Sequence, residues 1–374
     1  MIQRRQFSIA AGAAALGGFG LARAQGEAPI VLGQSAPFTG PAAQLGIQFQ
    51  QGAKLYLDQY NAMPGHRDVR IKFLDDGYEP ERCAANTKKL IDEEAFALFG
   101  YIGTPTSLAA LPLAVNAKVP FIAPFTGAMA LREPFHRNVF HLRASYNDET
   151  ALIVKQLTHL GLKKIAVFYQ NDAYGKAGLD GVTLALSQLD LKPAALATVE
   201  RNTVDVAAAV KTIVAAKPDA VVQVSAYKSC AAFIREARKA GYGGTFYNVS
   251  FVGTQALADE LGKDGAGVVV TQVVPSPYYA ANGITREFNE AVKKSGGTVQ
   301  SNFSSMEGYL AAKVLTEGLR RAPGKLTRES LIAGLESIDR QQFGGFEVSF
   351  SPRNHVGSKF VELSMITADG RIRT

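Results

Sequence analysis

The sequence predicts an α/β protein of two lobes, each a doubly wound parallel sheet, and three observations carry that expectation. Strand and helix patterns alternate from Ile30 to Val274. The strand runs are apolar without polar alternation, as in strands covered on both faces. With 374 residues, 47% of them hydrophobic, the chain is long enough for two cores rather than one.

The clearest unit is Leu98–Leu131. Its apolar runs Leu98–Ile102 and Val119–Pro124 flank a helical pattern at Ser107–Ala117, making a βαβ unit with parallel strands. Each run ends in a loop of small and hydroxyl residues, Gly103-Thr104-Pro105-Thr106-Ser107 and Pro124-Phe125-Thr126-Gly127. Both loops fall at the sheet edge where ligands bind in open α/β sheets.

Taken in order, the chain opens with a strand at Ile30–Gln34 and a turn at Ser35–Pro41. A helix over 42–63 follows, with Leu45, Phe49, Ala53, Tyr56, Leu57 and Tyr60 at helical spacing. Next come a strand at Val69–Leu74, the acidic turn Asp75-Asp76-Gly77, and a helix over 80–94 with Pro80 in its first turn. After a strand at Val139–Arg143 the order restarts. Helix Glu149–His159 leads to strands Ile165–Tyr169, Ala195–Val199, Ala220–Ser225, Thr245–Val249 and Val268–Val274. Between them lie helices Lys176–Leu189, Val206–Ala216 and Lys228–Ala240, and a short one near Gln255–Leu261. Pro275-Ser276-Pro277 reads as a stiff crossing between lobes. Helices Thr285–Lys294, Ser304–Arg320 and Thr327–Ser337 follow, and those over 304–337, with no strands of their own to cover, return to the first sheet. Gly345–Phe350 and Lys359–Thr367 alternate apolar and polar residues and read as antiparallel edge strands with a turn at Asp369-Gly370.

Residues 1–24 read as a targeting segment outside the fold. Arg4-Arg5-Gln6-Phe7 precedes a weakly apolar run, Ile9–Leu21, and the small-x-small sequence Ala22-Arg23-Ala24. The arginine pair resembles the signal for export of folded proteins, with ordinary secretion as the alternative. Either route places the mature chain outside the cytoplasm, cleaved near Ala24. Cys83 and Cys230 fall in different lobes, where a bridge would lock any hinge, so two separate buried thiols are expected.

The net charge of +7 is spread among acids, with no basic run and no clustered stacking aromatics. That pattern argues against nucleic acid as a partner. No G-x-S-x-G elbow, P-loop, H-E-x-x-H or C-x-x-C motif occurs. The five histidines have no ligand spacing, so neither a metal nor a cofactor is expected.

What remains are polar loops at strand C-termini. Thr104, Thr106 and free amides at a helix start suit a carboxylate; the alternative is a plain N-cap by Thr106 or Ser107. Phe125, Thr126 and Gly127 on the neighbouring loop favour a ligand. Tyr174, Tyr227, Ser250 and Phe251 end strands of the second lobe. One such aromatic is more often core, but four similar loops point to a cleft between lobes.

The ordered set S-A-P-F-T-G-P-A-A-Q-L-G, D-D-G-Y-E-P, G-T-P-T-S, P-F-I-A-P-F-T, Y-Q-N-D-A-Y-G and I-R-E-A-R-K-A-G-Y resembles the type I periplasmic binding proteins, specifically the leucine/isoleucine/valine-binding family serving ABC importers. The resemblance spans nearly the whole mature chain. It implies two Rossmann-like lobes, residues 28–145 plus 276–351 and residues 146–275 plus 352–374, joined by a three-crossing hinge and closing on a ligand. It also implies a monomer that meets a membrane permease. The family's carboxylate-binding hydroxyl falls on Thr104, its second contact loop on Phe125-Thr126-Gly127, and its second-lobe contacts on Tyr174 and Ala226-Tyr227.

Three departures stand out. The acid that holds an ammonium falls near uncharged Ser250, a pocket aromatic falls on Leu45, and a cysteine pair falls on Tyr78 and Gly103. Without that acid, a neutral-tailed organic or aromatic acid gains over a zwitterionic amino acid. Glu307 could replace the charge, or be a solvated helical acid. Two other readings stay open: a ligand sensor of the same fold with a signalling partner, and a secreted α/β enzyme.

Overall fold

The computed structural model describes residues 27–374, so the export segment at 1–24 lies outside the described residues. The first sheet has five parallel strands in the order β2-β1-β3-β4-β5, built from β1 (Ile30–Ala36), β2 (Val69–Asp75), β3 (Ala97–Phe99), β4 (Phe121–Ile122) and β5 (Val139–Phe140). Between them run α1 (Ala43–Asn61), α2 (Pro80–Asp92) and α3 (Thr104–Asn116). Leu98 pairs with Phe121, so the two expected runs are parallel neighbours, although each regular strand is shorter than its apolar run.

The second lobe starts with α4 (Tyr146–His159), β6 (Ile165–Gln170), α5 (Ala173–Ser187), β7 (Leu196–Val199), α6 (Ala207–Ala216), β8 (Ala220–Val224) and α7 (Tyr227–Lys239). It continues with β9 (Thr245–Asn248), α8 (Thr254–Leu261) and β10 (Val269–Gln272). The chain then returns through α9 (Gly283–Lys294), α10 (Phe303–Arg321) and α11 (Arg328–Glu336). Next come β11 (Gln341–Phe343), β12 (Phe346–Val348), β13 (Glu362–Ile366) and β14 (Ile372–Arg373). The second sheet has the order β14-β13-β10-β9-β8-β6-β7, in which β13 and β14 are antiparallel and the others parallel.

Here one expectation is corrected. Residues 345–350 do not edge a main sheet: β12 pairs only with β11, in a hairpin that the sequence reading missed. Its inward residues Phe346 and Val348 are buried, which gives the alternation without a large sheet. Residues 362–373 do form the expected antiparallel edge.

Helix α10 packs on α1, returning the late helices to the first lobe. The two helices meet backbone to backbone at small residues: a Cβ on Gly52 would overlap the Ser305 carbonyl, and one on Gly308 would overlap that of Phe49. The chain therefore passes between lobes three times, after β5, after β10 and before β13. The first and third passages run side by side, with the His141 amide donating to the His355 carbonyl at 2.8 Å and the Gly357 amide to the His141 carbonyl at 2.7 Å. Cys83 and Cys230 are free and buried, as expected.

Several helices start earlier than their apolar periodicity. The reason is local: Asp172 caps α5 by accepting from the Tyr174 and Gly175 amides, and Ser145 and Asp148 form a capping box on α4. The Asp172 cap moves Tyr174 from a loop into a first helical turn, and Tyr227 likewise opens α7, where no side chain caps the start. Among the described residues, no helix is long and apolar enough to cross a membrane.

Candidate functional site

Helix α3 begins at Thr104, three residues before its expected start, with Gly103 rather than Thr106 or Ser107 at the N-cap. Thr106 therefore sits inside the helix, where its hydroxyl donates to the Ile102 carbonyl and is not free for a ligand. Thr104 keeps its place at the helix start: its hydroxyl and that of Thr126 share a hydrogen bond of 2.6 Å. The Thr126 oxygen also accepts from the Ala128 amide at 3.2 Å. The Thr104 and Thr106 amides lie in the first turn, which has no intrahelical acceptors.

Arg132 braces this pole from behind. One guanidinium nitrogen donates to the carbonyls of Thr126 and Ala128, the other to those of Arg143 and Ala144. It thereby ties the threonine loop to the first interlobe passage. Burial, with repulsion from Arg143, lowers its pKa to about 10.

Sequence reasoning missed Arg143. Its Nε and Nη2 donate to the two Glu307 carboxylate oxygens at 2.8 and 2.7 Å, and both side chains are buried. Glu307 is therefore neither solvated nor a spare charge. Burial works against the Arg143 charge, but the Glu307 carboxylate outweighs it and keeps the guanidinium protonated. The guanidinium also stacks 4.0 Å from the centre of the Phe125 ring.

Aromatic rings from both lobes fill the space beside this pole. Phe251 lies 4.5 Å from Tyr174, 5.8 Å from Phe125 and 5.9 Å from Tyr78, and Tyr146 lies 5.5 Å from Tyr174. Of the residues expected at a site, the structure thus gathers Thr104, Phe125, Thr126, Gly127, Tyr174 and Phe251. Tyr227 joins no ring pair in this cluster, and its hydroxyl lies beside the Gln44 backbone of the first lobe. Ser250 is occupied too: its amide and hydroxyl donate to Glu149 at 2.7 and 3.0 Å, and Thr271 donates to the same carboxylate. Burial raises the Glu149 pKa, while Arg143 and these donors oppose the rise. Glu149 is a buried acid next to the position where the family pattern lost one, and a count of charges near Ser250 in sequence could not find it.

The departures at Leu45, Tyr78 and Gly103 have a physical meaning. Leu45 spans the cleft to Gly253, where a Cβ would overlap its side chain. Tyr78 lies against Gly103, so an aromatic ring packs on a bare glycine at the two positions where the resemblance implied a cysteine pair.

Several buried polar atoms in this cluster find no hydrogen-bond partner among the described residues: Tyr146 Oη, Tyr174 Oη and Arg143 Nη1. Tyr146 Oη sits beside the Thr126 hydroxyl and the Gly127 amide, though not in hydrogen-bond geometry with either, and burial pushes its pKa up to about 12. Unmet buried donors are costly, so these three atoms are the candidates in this cluster to meet an acceptor.

One pH effect arises at the turn that leads into α2. Burial pushes the Asp76 carboxyl up to about 6, against bonds from Ser35 and the Tyr78 amide. A carboxyl raised in the fold is stabilising when neutral, so its contribution is complete below the unfolded pKa of about 3.9 and is lost as pH rises through about 6. At neighbouring Asp75, burial is overcome by the Thr39 hydroxyl and the amides of Phe38, Gly77 and Thr39, which hold it near 2. Its contribution is lost only as pH falls towards 2. Urea unfolding is therefore expected to show the stability difference between the parent and Asp76→Asn changing by roughly 2–3 kcal/mol from pH 4 to pH 7, in favour of the variant. A parallel pair of profiles would refute it.

Two α/β lobes on a three-stranded hinge, with a polar pole and aromatic walls buried between them, define a solute-binding protein of the kind that closes on its ligand. Consistent with that class, a family model described as periplasmic binding protein matches residues 29–371, and the chain belongs to that family. It is a family of solute-binding proteins, not enzymes. The chain is 27% identical over 323 residues to Leu/Ile/Val-binding protein homolog 7 of Brucella suis, covering 80% of this chain and 79% of that one. It is also similar to the solved structure of a possible leucine/isoleucine/valine-binding protein from Rhodopirellula baltica, with a TM-score of 0.86 and 34% identity, over 91% of this chain and 95% of that one. A substrate-binding periplasmic protein from Ralstonia solanacearum superposes with a TM-score of 0.86 at 31% identity, over 92% of this chain and 99% of that one.

Proposed function

We propose that this chain is the periplasmic solute-binding component of an ABC importer and that it takes a small ligand through a carboxylate. The observation that carries the reading is the convergence of unmet buried donors, Tyr146 Oη and Arg143 Nη1, beside Thr126, Thr104 and the Gly127 amide. A carboxylate supplies acceptors to all of them and gains charge-assisted bonds. The export-like segment and the similarity to named Leu/Ile/Val-binding proteins support the transport setting.

The rest of the ligand lies against Phe125, Tyr174 and Phe251. Glu149 is close, but three donors already engage its carboxylate. That favours a neutral tail, such as an aliphatic or aromatic acid, over the zwitterionic amino acids named for the relatives. The lobes close around the ligand, and the closed form is what the permease recognises; a monomer suffices for this cycle.

Tyr146→Phe tests the site cleanly, because the hydroxyl removed has no protein partner. The variant is expected to be as stable as the parent or more so in ligand-free urea unfolding, since an unmet buried group is lost. In calorimetric titrations with branched-chain amino acids and with aliphatic and aromatic monocarboxylates, it is expected to bind about 10- to 100-fold more weakly to whichever the parent takes, a loss of roughly 1.5–3 kcal/mol for a bond to a charged group. Parent-like affinity would remove Tyr146 from the ligand pole. Failure of every carboxylate to bind the parent would overturn the ligand class.

A further inference from the structure

The acidic turn at the end of β2 does more than lead into α2. Gly77 and Tyr78 both adopt left-handed backbone angles, with φ of +58° and +66°. For a tyrosine that conformation is strained, and it persists only where the surroundings over-determine it. Here they do: Asp75 accepts the Phe38 and Gly77 amides at 2.8 and 3.1 Å, and Asp76 accepts the Tyr78 amide at 2.8 Å. Strain held in this way is found at ligand clamps.

Its product is the placement of two side chains. The Tyr78 ring is fully buried and lies across Gly103, the cap of the helix that carries Thr104. From there it reaches the second lobe, 5.9 Å from Phe251, and its oxygen accepts from Gln170 Nε2 at 3.4 Å. The next residue, Glu79, pairs with Arg201 Nη2 at 2.9 Å and accepts from Asn202 Nδ2 at 2.7 Å. Asn202 Nδ2 also donates to the Gly77 carbonyl at 3.0 Å, and Arg201 is steadied by Asp172 at 3.3 Å. Asn202 itself has φ of +60°, so a strained turn on each lobe meets the other. The ion pair stays partly exposed, with Arg201 at 22% and Glu79 at 39%, while the ring behind it is sealed.

We propose that Gly77-Tyr78-Glu79 is a clasp: Glu79 locks onto Arg201 and Asn202 when the lobes close, and Tyr78 sets the largest ligand that fits beneath it. Every one of these interlobe contacts is broken when the lobes part, so the clasp favours the closed form and slows ligand release. The ring stands between the Gly103 cap of α3 and Phe251, so it walls one side of the space open to a ligand whose acid group is held at the head of α3. The size limit rests on the carboxylate reading; the lock does not.

The test uses the mature chain with one spin label on each lobe, and the parent, Tyr78→Phe, Tyr78→Ala, Glu79→Gln and Arg201→Gln. Calorimetry with unbranched monocarboxylates from two to ten carbons, and with unbranched α-amino acids, reads the size limit. The parent and Tyr78→Phe are expected to share one chain-length limit, and Tyr78→Ala to bind ligands at least two carbons longer, with about a 10-fold gain beyond the parent's limit. Glu79→Gln and Arg201→Gln are expected to leave the limit alone, weaken every binder about 5-fold and reduce the closed fraction in the ligand-free label distances. An unmoved limit in Tyr78→Ala, or an unmoved closed fraction in both charge variants, overturns the proposal. If the parent takes neither series, the size limit is struck out and the closed fraction alone decides the clasp; the carboxylate reading itself fails only if branched-chain and aromatic acids are refused as well.

Discussion

Glu307→Gln is expected to cost about 3–5 kcal/mol of unfolding free energy, the largest loss from a single polar substitution in this chain. The glutamine offers one acceptor where the carboxylate offered two, and it leaves the buried Arg143 charge without its directly bonded counter-ion, with only the Glu149 carboxylate acting on it from further away. Both side chains are almost fully buried, so solvent cannot screen the charge left behind. Arg143→Met combined with Glu307→Leu is expected to recover most of that loss, because a buried ion pair replaced by apolar groups is close to neutral. The double variant is also expected to lose carboxylate binding, since Arg143 no longer charges the pole. Urea unfolding and calorimetry on the parent and these two variants separate the two effects. A Glu307→Gln loss under 1 kcal/mol would mean that the pair is solvated in solution.

Gly103→Ala is expected to be of similar size, about 3–5 kcal/mol, from two sources. Gly103 has φ of +96° and ψ of 158°, a region that a residue with a Cβ enters at a cost of about 1–3 kcal/mol. The new methyl would also overlap the Tyr78 ring, an overpacking cost of about 1–3 kcal/mol. Measured against Tyr78→Ala, whose own truncation is costly, rather than against the parent, Gly103→Ala is expected to recover about half of its loss, because the second cost is gone and the first is not. Full recovery would place all the cost in packing; no recovery would place it in the backbone.

The parallel order of the first lobe was legible because its signals are local. Leu98–Ile102 and Val119–Pro124 are apolar on both faces, and the connection between them is the length of a helix. Thr104 and Thr126 were legible for the same reason, as hydroxyls in loops at strand ends. Thr106 misled because its hydroxyl turns back to a carbonyl four residues away, once Gly103 takes the cap. The hairpin of β11 and β12 was missed: Phe346 and Val348 alternate and so marked a strand, but Gln341-Gln342-Phe343, its actual partner, carries little pattern.

The sequence by itself therefore determined the α/β class and the placing of hydroxyl residues and aromatics at strand ends, both of which follow from patterns within about ten residues. Tertiary structure decided which charges and rings act together. Arg143 and Glu307 are 164 residues apart, Glu149 and Ser250 101 apart, and Glu79 and Arg201 122 apart. The winding of the chain within and between lobes brings these pairs together, and hydropathy has no term for a partner that far along the chain. Burial then gives each pairing its strength, because a charge removed from water needs its counter-ion far more than one at the surface does.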